Sequence, residues 1–315
     1  MTVKKVLITG GAGFIGSHLA EQWINQNAEV IILDNLRSGK LGNIEHLTNA
    51  KFINKSITDK EAVLKASEGV DYIYNLAALV SVPESVENPY ECVDINVKGV
   101  LNLLEAAKRN NVKKVVHFSS AAVYGDNPLS PKTINMKPEP KSPYGITKLD
   151  GEYYLNQYHE SFGVKTLSFR CFNVFGPRQN PDSQYAAAIP IFVNRALKGE
   201  ELIIYGDGEQ TRDFIFVKDV VNANITAALK QEVTGVFNLG TGTSISINEL
   251  VNMIMKLTSS KSKVIYEAER SGDIKHSLAS IKETEERLNF KPEYDLKAGV
   301  EETIKYFIDL FSKKN

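Results

Sequence analysis

Tyr144 and Lys148 stand four positions apart in "SPYGITK", directly after Ser142 and Pro143. On a helix that spacing puts both side chains on one face. A phenol can move a proton to or from a substrate hydroxyl. A free tyrosine, with a pKa of about 10, is a poor base at neutral pH. An ammonium held beside it would favour the phenolate. In a chain with 13 tyrosines, a lone Tyr-x-x-x-Lys carries little weight, so its meaning depends on its surroundings. Upstream, about 25 residues before Tyr144, "HFSSAAVYG" offers the hydroxyls of Ser119 and Ser120. A strand-end serine is usually a turn or cap residue.

A second set of residues points to a dinucleotide. In "LITGGAGFIGSHLA", Gly10, Gly13 and Gly16 lie between a strand-like and a helix-like run. A glycine permits the tight turn at Gly10, lets backbone approach a pyrophosphate near Gly13, and allows close helix–strand packing at Gly16. The helix start adds unpaired N–H groups and partial positive charge. The G-x-x-G-x-x-G spacing is one residue wider than the usual fingerprint. The following strand-like run ends in Asp34, 18 residues after Gly16. A carboxylate there can accept from both ribose hydroxyls and would repel a 2′-phosphate, so NAD is expected rather than NADP.

These residues need a sheet to carry them. "VKKVLIT", "AEVIILD", "AKFIN", "DYIYNLA", "VKKVVHFSS" and "VKTLSFR" read as strands, and helical patterns cover 14–27, 88–110 and 143–162. Such alternation predicts βαβ units around a parallel sheet, an α/β fold. Ser119 and Ser120 then emerge at the C-terminal end of a strand, where open α/β sheets bind ligands. Beyond residue 176 the rhythm loosens through "FGPRQNPDSQ" into shorter elements. We expect residues 1–175 to form mainly the cofactor-binding unit and residues 176–315 mainly a smaller substrate-binding lobe, with interleaved boundaries. No repeat or low-complexity tract is evident.

Composition sets wider bounds. The chain has 315 residues, 43% hydrophobic and 24% charged, with a net charge of −1. That balance gives no footprint for nucleic acid or a membrane surface. Two cysteines, Cys92 and Cys171, are too few for a disulfide framework and read as packing residues. The start runs straight into a strand pattern, and a cytoplasmic location is expected.

Across nearly its whole length the chain resembles the extended short-chain dehydrogenase/reductases, and within them the UDP-sugar 4-epimerases. The resemblance rests on the glycine turn, "LDNL", "NLAAL", "DINVKGVLNLLEAA", "FSSAAVYG", "SPYGITK", "FRCFNVFGPRQ", "GDGEQTRDFIFV" and "RSGDIKHSLASI". It implies a Rossmann-type doubly wound parallel sheet with a smaller C-terminal α/β lobe, bound NAD and no metal. Tyr144 would be the base, Lys148 its partner and the holder of the nicotinamide ribose, and Ser120 the donor to the reacting oxygen. It also implies cofactor contacts from Gly10, Gly13, Phe14, Ile15, Gly16, Asp34, Asn35, Ile57, Leu76, Ala77, Ala78, Asn96 and Ser119.

For the substrate, the same resemblance assigns phosphate contact to Asn173 and a pyrophosphate clamp to Arg212 and Arg270. Tyr205 would cover the uracil, Asp273 would take the uridine ribose hydroxyls, and Ser81 would line the sugar end. Family dehydratases carry an Asp-Glu pair where this chain has Ala121 and Ala122, so dehydration is disfavoured. Ser277 aligns with a position that is tyrosine in epimerases restricted to glucose and galactose and small in those accepting N-acetylhexosamines. Val80 stands where the glucose/galactose enzymes often place lysine. The resemblance therefore implies UDP-N-acetylglucosamine 4-epimerisation, with UDP-glucose as a further substrate. A UDP-glucose- or UDP-glucuronate-restricted 4-epimerase and an idle NAD-sensing or scaffold protein are the alternatives. Helices 88–110 and 143–162 resemble those that join two subunits through a four-helix bundle, implying a homodimer.

Overall fold

A computed structural model of the chain describes residues 3–181, 187–269 and 275–312. The predicted strands form β1 (Lys5–Thr9), β2 (Glu29–Asp34), β3 (Ala50–Asn54), β4 (Tyr72–Asn75), β5 (Lys114–Ser120) and β6 (Thr166–Cys171). Shorter strands follow: β7 (Asn173–Phe175), β8 (Leu202–Tyr205), β9 (Thr211–Arg212), β10 (Phe214–Phe216), β11 (Gly235–Leu239), β12 (Ile245–Ser246), β13 (Val264–Glu267) and β14 (His276–Ser277). A seven-stranded sheet runs β11-β6-β5-β4-β1-β2-β3, parallel throughout. Chain direction across the sheet reverses between β1 and β4, which opens a crevice at their C-terminal ends.

The helices are α1 (Phe14–Asn25), α2 (Lys60–Ala66), α3 (Val82–Glu87), α4 (Pro89–Val93), α5 (Gly99–Arg109), α6 (Pro143–Phe162), α7 (Ala188–Lys198), α8 (Val217–Leu229), α9 (Ile247–Thr258), α10 (Lys282–Leu288) and α11 (Leu296–Ser312). Among the described residues, none is long and apolar enough to cross a membrane.

Both faces of the sheet are buried, which explains why its strands are continuous apolar runs rather than alternating ones. Val6, Ile8, Val30, Ile32 and Tyr74 pack under Trp23 of α1 and Val220 and Ala227 of α8. Leu7, Ile31, Leu33 and Ile73 face Val63, Leu103, Leu104 and Leu155 on the other side. A third cluster, built on Phe175, Phe192, Leu202, Phe216, Leu250 and Phe307, holds the later helices together. Phe14 and Ile15 of α1 pack against its edge.

Two local features place the chemistry. The predicted helix over 143–162 is present as α6, with Ser142 as its N-cap and Pro143 in its first turn. The Ser142 hydroxyl accepts from Gly145 N at 3.1 Å, a cap worth about 1 kcal/mol. The predicted helix over 88–110 is instead α4, a π-helical turn at Asp94–Lys98, and α5. The turn carries buried Asn96, whose side chain accepts from Leu79 N at 2.8 Å and donates to Leu79 O at 3.0 Å and Thr147 Oγ1 at 3.0 Å. Such wide turns occur where a helix must serve a neighbouring segment, here the exit of β4 and the flank of α6.

Candidate active site

The glycine turn closes on the exit of β4. Gly10 has φ +69°, and a Cβ there would lie 2.7 Å from Ala77 N. A Cβ on Gly16 would lie 2.3 Å from Gly10 O, so α1 starts against the turn only because both are glycine. Gly13 caps α1 without any side-chain bond to the helix's first N–H groups, leaving an anion-binding end.

Asp34 ends β2, with Oδ2 accepting from Ala12 N at 3.0 Å and Oδ1 from Leu36 N at 2.8 Å. Burial pushes its pKa up against the pull of those two N–H groups. An ionised carboxylate has about four acceptor positions, so two remain for a ribose diol. Gly39 keeps that approach clear, since a Cβ there would lie 2.9 Å from Oδ2. The cradle fits the adenosine and pyrophosphate of NAD. Arg37, which sequence reasoning passed over, is drawn away to Glu84 (2.6 Å) and Glu91 (2.9 Å) and is not directed at a 2′-phosphate.

Ser120, Tyr144 and Lys148 are brought together at the C-terminal edge of β5. The Ser120 side chain pulls the Tyr144 phenol's pKa down against burial, and its hydroxyl accepts from Ala122 N at 3.1 Å. Lys148 Nζ donates to Phe118 O at 2.7 Å and lies 5.8 Å from the Tyr144 ring centroid. The Tyr144 backbone is pinned from the far side, its N–H donating to Ser85 Oγ at 3.1 Å.

Without the charge of bound NAD⁺, the protein's own groups work against the phenolate. Tyr144 is half-buried as a residue, yet enough protein surrounds its phenol for desolvation to push it up to about 12. Burial also pulls Lys148 down to about 8. The protein's own groups therefore hold a neutral phenol: loss of hydration outweighs the expected help from the lysine, whose ammonium is turned to Phe118 O. Behind Lys148, burial and then the lysine's charge drive His117 well below 6.5. Its Nδ1 lies 3.0 Å from Asn75 Nδ2, and it stays neutral. Burial pushes Cys171 up to about 12 and raises Cys92 as well, so neither supplies a thiolate.

Several residues expected to touch ligand have other occupations. The Ser119 hydroxyl donates to Glu152 Oε1 at 2.5 Å. Ile57 is core, tight enough that a Cβ on Gly99 would lie 2.6 Å from its Cγ2. Ser81 caps α3 by accepting from Glu84 N at 3.1 Å. Asn96 grips Leu79, as described above. Asn35 is exposed, its Oδ1 accepting from Arg37 N at 3.2 Å. Leu76, Ala77 and Ala78 follow β4 directly beside Gly10, with Leu76 N donating to Thr9 O at 3.0 Å.

The expected substrate residues fall on neighbouring strands. Ser120 pairs across β5–β6 with Cys171, two residues before Asn173. β10 runs beside β7, with Phe214 opposite Asn173. Arg212 on β9 is opposite Ser277 on β14. Tyr205 ends β8, opposite Glu267 of β13. Arg270 and Asp273 lie outside the described residues. Ala121 and Ala122 form the turn after Ser120 and bring only methyl groups to the site.

Residues 6–240 match the model of the NAD dependent epimerase/dehydratase family. A putative UDP-glucose 4-epimerase of Methanocaldococcus jannaschii is 40% identical, over 96% of this chain and 97% of its own. Among solved structures, the UDP-N-acetylglucosamine 4-epimerase of Methanobrevibacter ruminantium in complex with UDP-N-acetylmuramic acid is 44% identical. It superposes with a TM-score of 0.95, over 98% of this chain and all of that one. The UDP-glucose 4-epimerase of Thermotoga maritima with UDP-glucose is 37% identical, with a TM-score of 0.93 over 98% and 99% of the two chains. The chain belongs to the NAD dependent epimerase/dehydratase family.

Proposed function

We propose that this protein is an NAD-dependent UDP-hexose 4-epimerase whose principal substrates are UDP-N-acetylglucosamine and UDP-N-acetylgalactosamine. The observation that carries the reading is the grouping of Ser120, Tyr144 and Lys148 beside the cofactor cradle. In this reading the turn from Gly10 to Gly16 and the start of α1 hold the pyrophosphate, and Asp34 takes the adenosine ribose. Bound NAD⁺ would supply the hydride acceptor for sugar C4 and a positive charge next to the phenol. Tyr144 removes the proton of the C4 hydroxyl and later returns it, while Ser120 donates to the same oxygen and limits the cost of charge there. The 4-keto sugar turns over in the pocket and is reduced on its opposite face. Ala121 and Ala122, directly after Ser120, bring no acid–base group that could help expel water.

Asn173, Tyr205, Arg212 and Ser277 are assigned to the UDP-sugar, Arg212 through the planar donor fork suited to a pyrophosphate. Ser277 is half-buried opposite Arg212 and is small enough to leave space for a 2-acetamido group. Likeness to UDP-glucose 4-epimerases favours a second reading, in which the glucose/galactose pair is the main substrate. The proposal includes a homodimer joined through the helices at 88–110 and 143–162, where Tyr90 is 88% and Tyr153 60% exposed. It also includes a cytoplasmic setting, in keeping with two unpaired cysteines. Incubation with UDP-N-acetylglucosamine, UDP-glucose and UDP-glucuronate separately, with products resolved by proton NMR, tests the assignment. Turnover is expected to be fastest on the first, and conversion of none of the three would refute it.

A further inference from the structure

Asp213 is fully buried, and both its side chain and its backbone tie separate segments together. Oδ1 accepts from Thr241 N and Thr241 Oγ1, both at 2.8 Å. Oδ2 accepts from Gly242 N and Ala279 N, both at 3.1 Å. Its backbone N–H donates to Ser277 O at 2.9 Å. Its backbone carbonyl accepts from Asn173 N at 3.1 Å and from Asn173 Nδ2 at 2.9 Å. One residue thus bonds directly to Asn173 and to the strand of Ser277, and is the chain neighbour of Arg212.

We propose that Asp213 is a positioning residue for the UDP-sugar site, fixing Asn173, Arg212 and Ser277 in mutual register. The inference rests on the nucleotide-sugar reading above and adds a residue that touches neither substrate nor cofactor. A carboxylate is required because a single side chain must accept four donors from the β11 exit and the β14 segment. Asparagine would offer one oxygen and would turn an NH₂ toward donors. These four donors are neutral, and burying a carboxylate among them is costly. Burial accordingly raises the Asp213 pKa while the four donors pull it back. The cavity is closely filled as well: a Cβ on Gly240 would stand 2.7 Å from Oδ2 and 2.8 Å from Ala279 Cβ. The NAD cradle draws on none of these contacts, since it is built from the β1, β2 and β4 exits.

The test is calorimetric titration of UDP and, separately, of NAD into the wild type, Asp213→Asn and Thr241→Val, each at a temperature where it is folded. Leaving buried donors unpaired should weaken UDP binding roughly 10–100-fold in Asp213→Asn, with NAD affinity unchanged. Thr241→Val removes one donor and keeps the carboxylate, so it should weaken UDP binding about 2–5-fold with NAD affinity again unchanged. Should Asp213→Asn fail to fold, Thr241→Val decides alone. UDP affinity equal to wild type, or parallel loss of UDP and NAD binding, would overturn the proposal. A wild type that takes up NAD but no UDP would instead overturn the nucleotide-sugar reading, and this inference with it.

Discussion

Glu152 and Arg170 face each other as a buried ion pair, Arg170 Nη2 lying 2.8 Å from Glu152 Oε2 and Nε 3.0 Å from Oε1. Their side chains are 3% and 5% exposed. Glu152 stands one helical turn beyond Lys148 and two beyond Tyr144 on α6, whereas Arg170 belongs to β6. Ser119 of β5 donates to the same carboxylate, and the Arg170 guanidinium lies 4.8 Å from the Tyr124 ring centroid. The pair fastens the face of α6 that carries the tyrosine and lysine to the two strands beside Ser120.

Removing one member leaves the other charge buried and poorly compensated. Glu152→Gln should therefore lower the unfolding free energy by about 3–5 kcal/mol, measured by urea denaturation. The double variant Glu152→Gln/Arg170→Met should recover part of that loss, because both charges are then gone. A loss in Glu152→Gln below about 1 kcal/mol would mean that the pair contributes no more than a surface bridge.

The buried lysine predicts the sign of a pH dependence. Burial lowers Lys148 to about 8 in the folded protein, against 10.5 for a free lysine. Between those values the unfolded chain binds the extra proton, so this residue makes stability rise with pH. Lys148→Met, studied without cofactor, should therefore gain on the wild type below pH 8, with the difference shrinking toward pH 10.5. Lys114, pulled down to about 8 by burial, adds a similar slope to both proteins and cancels in the comparison. Unfolding free energies that stay parallel from pH 7 to 10 would contradict the assignment.

What could be foreseen in the sequence was local. The strand–turn–helix at the N-terminus and the start of α6 are set by glycines, a serine cap and a proline within a few residues of each other. The pairing of Tyr144 with Lys148 followed from a helical repeat, and the place of Ser120 beside them from a strand end and the resemblance to the 4-epimerases. The π-helical turn was not foreseen, because it depends on Asn96 bonding Leu79, a segment fixed by β4 rather than by neighbours in sequence. Asp213 was overlooked for the same reason: its donors come from Thr241, Gly242 and Ala279. The burial that raises Tyr144 was not legible either, since spacing reveals a nearby charge and says nothing of how much water the fold removes.

Ser277 offers a test of sugar choice. Ser277→Tyr fills the space assigned to the acetamido group, so turnover of UDP-N-acetylglucosamine should fall about tenfold or more relative to UDP-glucose. The measurement is the ratio of kcat/KM for the two substrates. An unchanged ratio, even with both rates reduced, would show that Ser277 does not face the sugar's C2 substituent.

The outer faces of α4 and α6 expose Tyr90, Val93, Ile146 and Tyr153, more apolar surface than an unpaired helix face needs. Tyr90→Glu with Tyr153→Glu should halve the mass seen by light scattering, from two chains to one. A wild type that already scatters as a single chain would rule out the dimer.

The most direct test of the Tyr144 chemistry follows the hydrogen on C4. UDP-N-acetylglucosamine deuterated at C4 is incubated with NAD and either the wild type or Tyr144→Phe, and the product is examined by proton NMR. The wild type should give UDP-N-acetylgalactosamine that keeps its deuterium at the inverted carbon. The phenylalanine variant should still bind substrate but turn over about 10²–10⁴-fold more slowly. Protium from solvent at C4, or near-normal turnover without the phenol, would contradict hydride transfer with Tyr144 as the proton carrier.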